Sequence, residues 1–239
     1  MKKWLIIALL FSMGSMAGWI LEVIFRRFFS GANPERKWIN PGFLAGPYLP
    51  LYGFSLCTIY FLSLIDVSFI QNPVLQDTVL FIFMALSITA IEYVAGIIFI
   101  KGMHVELWDY SHEKFNIKGI ICLRFTIFWY ILSAVYYFLI HPKIIHSIEW
   151  LAGHLTFSFF IGVFYGIFII DLCYSLNISK YIKEFAKEKE IIIHYEQLRA
   201  DIYETRKLLQ EKQHFILSLK SDHATLKESL QHYIDKKNK

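Results

Sequence analysis

Long apolar runs separated by short polar segments dominate the first three quarters of the chain. A helix on the surface of a soluble protein would instead carry apolar residues along one face only, with a period of 3.6 residues. Five of the runs contain few charged residues and are each about 20 residues long, the length that crosses a bilayer as a helix. The pattern predicts five transmembrane helices, at 4–25, 49–66, 78–100, 119–140 and 150–174.

A different pattern follows the last apolar run. No Gly or Pro occurs after Gly166, which predicts an uninterrupted helix to the C-terminus. From Ile191 apolar residues recur at alternating spacings of four and three, the heptad pattern of a coiled coil. A single amphipathic helix lying on the membrane is the alternative. We expect a transmembrane domain at 1–177 and a cytoplasmic helix at 178–239, with an oligomerisation seam of Tyr195, Leu198, Ile202, Leu209, Ile216, Leu219, Leu226 and Leu230.

Composition supports an all-α, polytopic membrane helical bundle. Hydrophobic residues make up 56% of the chain and charged residues 18%, whereas soluble domains are about a quarter charged. The net charge of +4 comes mostly from the tail, where attraction to an anionic membrane surface explains it, so no nucleic-acid partner is expected. The three cysteines lie in apolar runs without paired spacing and are interpreted as core residues.

Basic residues in the loops predict the orientation of the bundle. The first and third loops carry four and three Lys or Arg residues, the second none and the fourth only Lys143. Cytoplasmic loops are enriched in Lys and Arg. We therefore expect a multi-pass protein of the cell membrane with its N-terminus outside and its C-terminus in the cytoplasm, although Lys2 and Lys3 favour the opposite orientation weakly.

Residues 40–53 interrupt this regular pattern. The segment holds three of the six prolines and three of the twelve glycines, at the entrance to the second apolar run. Irregular backbone at membrane depth is tolerated only where protein or a water-filled cavity surrounds it. The segment therefore predicts a site, with Asn40, Gly42, Gly46 and Pro47 as candidate binding or gating residues.

Ionisable residues inside the apolar runs are the next candidates. Glu92, with Tyr93 beside it, is predicted to lie about 12 Å below the cytoplasmic end of its helix, and Arg124 about 8 Å below the same end. An unpaired charge there costs about 2.5–3.5 kcal/mol, so we predict a Glu92–Arg124 ion pair, either structural or functional. Glu22 is a further candidate.

Small residues form two stripes at helical spacing. Gly14 and Gly18 lie on one face of the first span with Glu22, and Gly162 and Gly166 on one face of the fifth. Stripes of this kind allow neighbouring helices to approach closely, and we interpret both as packing surfaces.

The third loop supplies the remaining candidates, Trp108, Asp109, Tyr110 and Asn116. Aromatic residues at this depth also form ordinary interfacial belts. The spacing of His and acidic residues in the loop matches no metal-ligand signature, and no metal or other cofactor is expected. Helix N-termini at Pro50 and Gly119, with the nearby arginines, favour an anionic ligand or a lipid phosphate.

The motifs as a set resemble the CmpB family. They are Gly18-Trp19 with Glu22, Asn40-Pro-Gly-Phe-Leu-Ala-Gly-Pro, Pro50-Leu-Tyr-Gly53, Glu92-Tyr93, Trp108-Asp-Tyr-Ser111, and Asn116 to Gly119 with Cys122 and Leu123. The resemblance covers roughly residues 12–135 and implies a permease-like integral membrane protein. The chain has no G-x-x-x-x-G-K-[ST] phosphate loop, so any ATPase is a separate subunit.

Three functions are compatible with these residues. The first is a transport component with a polar site, accessible to an anion or a lipid, on the cytoplasmic side. The second is a membrane-embedded enzyme acting on a lipid headgroup, for which no nucleophile–base pair stands out. The third is an oligomeric scaffold or sensor that signals through its coiled coil. The first is preferred because an anchor does not need several intramembrane polar groups.

Overall fold

A computed structural model describes residues 2–31, 33, 35–154, 156, 158–188, 192–195, 197–199 and 201–202. The described part is mainly helical: α1 (Lys2–Phe28), α2 (Pro50–Ser63), α3 (Pro73–Ile97), α4 (Leu123–Val135), α5 (His141–Gly153) and α6 (Ser158–Glu188). Helices α3 and α4 continue as short π-helices at Ile98–Met103 and Tyr136–Ile140. Four two-residue strands complete it, β1 (Val105–Glu106), β2 (Asn116–Ile117), β3 (Ile121–Cys122) and β4 (Ile193–His194).

Four helical stretches in the described part are long and apolar enough to cross a membrane. The second predicted span differs: α2 has 14 residues and extends about 21 Å, less than the roughly 30 Å of a hydrocarbon core. Irregular backbone at 40–49 precedes it, and Pro50 occupies the first turn of the helix. The four long stretches are Trp4–Phe28, Pro73–Met103, Leu123–Ile144 and Ser158–Glu188.

Local signals explain where helix α3 begins and where its π-helical extension ends. The Asn72 side chain accepts hydrogen bonds from the backbone N–H groups of Val74 (3.0 Å) and Leu75 (3.2 Å), and Pro73 occupies the first turn. His104 follows the π-helix in the left-handed conformation, with a φ of 56°. The chain then turns back toward the bundle.

Contacts between the helices give the direction of each one. Near the start of α1, the backbone oxygen of Ala8 accepts a hydrogen bond from Tyr165 of α6, and the rings of Phe11 and Phe168 lie 5.6 Å apart, so α1 and α6 run in the same direction. Helix α2 runs antiparallel to α1, because Leu49 N–H donates to Ser15 O and Cys57 Sγ donates to Ile7 O. We call the end where α1 begins the first end and the other the second end.

The predicted continuous helix from Gly166 to the C-terminus is wrong. Helix α6 ends at Glu188, and β4 (Ile193–His194) pairs in parallel with β1. Three consecutive isoleucines, Ile191 to Ile193, precede or form this strand, and β-branched residues favour extended backbone. This pairing joins residues far apart in the sequence, so the heptad pattern gives no sign of it. Ile193 is completely buried.

The start of the predicted coiled-coil seam packs against its own chain. Tyr195 and Leu198 are buried in a cluster with Val105, Ile182 and Ile193, and Ile202 packs against it. These residues therefore contribute to the fold of the monomer. The other predicted seam residues, Leu209, Ile216, Leu219, Leu226 and Leu230, lie outside the described residues.

Candidate functional site

Glu92 is the most buried carboxylate among the candidate residues, with 3% of its surface exposed. Each oxygen accepts one hydrogen bond from a neutral donor: Tyr110 Oη lies 3.1 Å from Oε1, and Trp129 Nε1 lies 3.0 Å from Oε2. Burial and the carboxylates of Glu92 and Glu22 raise the pKa of Tyr110 well above its usual range, so its hydroxyl remains a donor. Glu92 is thus held at membrane depth by two uncharged groups.

The predicted Glu92–Arg124 ion pair is wrong. Arg124 Nη1 lies 2.8 Å from Glu113 Oε1, and the Arg124 side chain is 60% exposed. Arg124 stands in the first turn of α4, where the loop before the helix brings Glu113 to it. The depths of Glu92 and Arg124 along the sequence are similar, but depth does not report the direction in which a side chain points.

Glu22 and Arg26 form an ion pair one helical turn apart beside Glu92. Arg26 Nε lies 3.0 Å from Glu22 Oε1, and Arg26 is 7% exposed. Its guanidinium also donates to the backbone oxygen of Leu107 at 3.4 Å. The second Glu22 oxygen accepts a hydrogen bond from Tyr52 at 2.9 Å. This buried arginine is therefore already bound to a carboxylate and a carbonyl.

Tyr52 and Trp129 connect the two carboxylates. Their rings meet edge to face with centroids 5.7 Å apart, while Tyr52 donates to Glu22 and Trp129 to Glu92. Gly18 makes room for this contact, because a Cβ at that position would lie 2.1 Å from the Tyr52 ring. We call the six residues that meet here the carboxylate cluster: Glu22, Arg26, Tyr52, Glu92, Tyr110 and Trp129.

Asn40 organises the broken segment at 40–49. Its Oδ1 accepts hydrogen bonds from Trp19 Nε1 (2.9 Å) and from the backbone N–H of Gly42 (3.1 Å). Its Nδ2 donates to the backbone oxygens of Leu44 (3.0 Å) and Ala45 (2.9 Å). A side chain of this kind replaces the hydrogen bonds that a helix would supply.

Asp171 of α6 holds the other half of the segment. It accepts hydrogen bonds from the backbone N–H groups of Ala45 (3.1 Å) and Gly46 (2.7 Å) and from the Tyr48 hydroxyl (2.6 Å), while Ser175 donates to it at 3.0 Å. The backbone N–H groups of Ala45 and Gly46 therefore bind the chain's own carboxylate.

The remaining candidates have supporting positions. Trp108 Nε1 donates to Ile120 O at 2.8 Å, and Asp109 accepts from the backbone and side chain of Ser111. Asn116 donates to Ser111 O and Glu113 O and accepts from Gly119 N–H. These bonds shape the third loop so that Tyr110 reaches Glu92. Tyr93 is partly buried next to Glu92, and Pro47 is exposed.

The beginning of the tail also contacts the broken segment. Tyr195 Oη donates to Phe43 O at 3.3 Å, and Arg199 Nη2 donates to Gly42 O at 3.3 Å. The Phe43 ring lies between those of Phe99 (5.2 Å) and Tyr195 (6.3 Å). The broken segment is thus held by α1, by α6 and by the tail.

Sequence reasoning identified part of this site and missed part. Glu22, Glu92 and Tyr110 meet in the carboxylate cluster, and Asn40, Gly42 and Gly46 lie in the broken segment. The residues missed are Tyr52, Trp129, Tyr48 and Asp171. Arg26 is one of the nearby arginines expected to favour an anionic ligand, but it binds Glu22 instead. Asp171 carries a signal that the sequence does show, since it is an acidic residue inside the last apolar run. Within the described residues, no group of three or more His, Cys, Asp or Glu side chains is arranged to hold a metal ion.

Comparison with known proteins shows which family the chain belongs to. The chain matches the family described as "Putative ABC-transporter type IV" over residues 9–176. The chain belongs to this family. The matched region begins within α1 and ends within α6, so it includes the broken segment and Asp171 but not β4 or the tail. No curated protein and no solved structure matches the chain.

Proposed function

We propose that the protein is a permease-like transport component whose carboxylate cluster binds a proton or a small cation. The observation that carries this proposal is the setting of Glu92, a buried carboxylate whose described hydrogen bonds come from neutral donors. With Glu22 and Glu92 ionised and Arg26 positive, the cluster has one negative charge in excess. A buried charge of this kind is expensive unless a proton or a cation compensates it.

The same charges argue against the anionic ligand expected from the sequence. Arg26 is bound to Glu22 and Arg124 to Glu113, and Asp171 already occupies the backbone donors of Ala45 and Gly46. An enzyme acting on a lipid phosphate would need cationic groups that face its substrate. The geometry therefore favours transport of a cation or proton over headgroup chemistry.

The backbone around the cluster supports a transport role. Helix α2 begins beside the middle of α1, where Leu49 N–H reaches Ser15 O, and the broken segment leads from there toward the second end. Secondary transporters place binding sites at such interrupted helices, because irregular backbone is tolerated where it lines a cavity. We propose that the second end is cytoplasmic, since the last turn of α1 there contains Arg27 and the loops contain Arg36, Lys37, Lys114 and Lys118.

Energy for transport would come from outside this chain. The family description names an ABC transporter, and the sequence lacks the phosphate-binding loop of an ATPase. We propose either a separate ATPase subunit or the gradient of the bound cation as the source. A lipid environment is required in both cases.

Thermal unfolding in nanodiscs tests the binding proposal without a partner subunit. Sodium or potassium would be exchanged for choline at constant ionic strength, and pH would be varied separately. A ligand that binds only the folded state raises stability, by about 2.7 kcal/mol at a hundred times its Kd. We expect the wild-type Tm to rise with one of these cations or with protons, and Glu92→Gln to lose that response.

Glu113→Gln is the matched control, because Glu113 is a carboxylate of the third loop, close in sequence to Tyr110, that is paired with the exposed Arg124. It should keep the wild-type response to the ligand. If Glu92→Gln and the wild type respond identically to sodium, potassium and pH, the cluster does not bind these ligands and the proposal is wrong.

A further inference from the structure

The third loop exposes large apolar side chains where a soluble protein would bury them. Phe115, directly before β2, is 79% exposed, and Ile117 in β2 is 52% exposed, on the first arm of the hairpin formed by β2 and β3. Lys114 and Lys118 flank them and are also exposed. We call residues 114–118 the β2 segment.

Two contacts place this hairpin at the second end of the apolar spans. Phe125, which follows the hairpin, meets Phe25 of α1 with ring centroids 5.9 Å apart, and Arg26 donates to Leu107 O where the loop begins. Counted from Trp4, a helix of about 20 residues crosses the hydrocarbon core. That count ends just before Phe25 and the charged pair Arg26–Arg27, so the hairpin lies at the level where acyl chains meet headgroups.

The contact with α3 gives the same level independently. Ile120 packs on Gly96 so closely that a Cβ at Gly96 would lie 2.3 Å from it. Counted from Pro73, the hydrocarbon core again ends within a turn of Gly96. The loop therefore folds back from Met103, the end of the π-helix, to the membrane boundary.

We propose that the β2 segment is a docking surface for anionic phospholipid in the adjacent leaflet. Phe115 and Ile117 enter the upper part of the acyl chains, and Lys114 and Lys118 bind the headgroup phosphates. Aromatic and basic side chains combine in this way at membrane interfaces, because the rings bury apolar area while the ammonium groups stay in the hydrated layer. The proposal concerns residues outside the carboxylate cluster and stands whatever that cluster binds.

Tryptophan fluorescence in nanodiscs tests this docking. Phe115→Trp adds a fluorophore in the β2 segment, and Lys187→Trp adds one at an exposed position one residue before the end of α6. We expect brominated acyl chains to quench the added fluorescence of Phe115→Trp, and aqueous acrylamide to quench that of Lys187→Trp. If acrylamide quenches both variants equally and brominated lipid quenches neither, the β2 segment is in water and the proposal is wrong.

The charge requirement is tested by lipid composition. Adding phosphatidylglycerol to phosphatidylcholine nanodiscs should increase the quenching of Phe115→Trp by brominated lipid. Replacing Lys114 and Lys118 by Gln in the same background should remove this increase while leaving the quenching in pure phosphatidylcholine. Equal quenching with and without phosphatidylglycerol would overturn the assignment of anionic headgroups. The Tm and the elution volume of each variant show whether it is folded.

Discussion

At the scale of single residues, the site depends on donors that come from three separate elements. Glu92 lies on α3, Tyr110 on the third loop and Trp129 on α4, and the two hydrogen bonds measure 3.1 and 3.0 Å. Each donor is itself a bulky aromatic residue that also packs; Tyr110, for example, stacks on Phe125 at 4.5 Å. The side chains that donate hydrogen bonds to Glu92 are therefore the same ones that pack around it, which fixes the position of Glu92 tightly.

Gly18 offers a sharp test of this packing. Gly18→Leu would place side-chain atoms where the Tyr52 ring lies, and overpacking of this kind costs about 1–3 kcal/mol. We expect a lower Tm in nanodiscs and a weaker ligand response, because Tyr52 would leave Glu22. Gly162→Leu is the control, since nothing in the described part of the chain lies within 4 Å of a Cβ there. A Tm equally low for both variants would contradict this account.

At the scale of elements, the broken segment is held by side chains and not by regular secondary structure. Asn40 binds one half of it and Asp171 the other, and the tail reaches Gly42 and Phe43.

The predicted glycine stripe of α1 is a packing surface, as Gly14 and Gly18 show. The stripe of α6 is not, because the described helices leave open space at Gly162 and Gly166.

Asp171→Asn tests whether α6 holds this segment. The amide side chain has one acceptor oxygen in place of two, so at least one of the hydrogen bonds from Ala45, Gly46 and Tyr48 is lost. A hydrogen bond to a charged group contributes about 1.5–3 kcal/mol, which corresponds to roughly ten- to a hundredfold faster local opening. We expect hydrogen exchange of peptides covering 40–49 to accelerate accordingly. In Asp66→Asn, a change in the loop between α2 and α3, exchange at 40–49 should stay at the wild-type rate; acceleration there as well would show a global effect.

At the scale of the whole molecule, the termini of the bundle lie at opposite ends. Helices α1 and α6 run in the same direction, so the chain leaves the bundle at the second end. The short α2 runs antiparallel to α1 in the region that the prediction of five full-length helices had assigned to 49–66.

An orientation assay tests the proposed topology. We expect an epitope tag at the N-terminus to be accessible in intact cells, and a tag at the C-terminus only after permeabilisation, because the basic loops remain on the cytoplasmic side. Accessibility of both tags under the same condition would contradict the topology. Untagged cells and a cytoplasmic marker protein control for lysis.

The coiled coil is still a prediction, and truncation separates it from the fold. Deleting residues 203–239 leaves Tyr195, Leu198 and Arg199 in place, so we expect the Tm of the membrane part to change little. If the heptads pair with a second copy, the truncated protein should elute as a monomer where the full chain elutes as an oligomer. The same oligomeric state for both would exclude this seam as the interface.

The sequence by itself determined the membrane-type helices and the break at 40–53, and it singled out Glu22 and Glu92 as acidic residues inside apolar runs. Runs of about 20 apolar residues, proline and glycine, and buried charges act locally, so they are visible in a single chain. Family motifs predicted membership correctly for the same reason, since they lie within the matched residues 9–176.

The tertiary structure alone decided the partners of those residues. Glu92 is bound by Tyr110 and Trp129 and not by Arg124, Asp171 takes the backbone donors of the broken segment, and β4 ends a helix that the sequence would have continued. Each of these contacts joins residues far apart in sequence. Their formation depends on which side-chain directions and strand pairings satisfy all buried polar groups at once, and one-dimensional spacing carries no information on that choice.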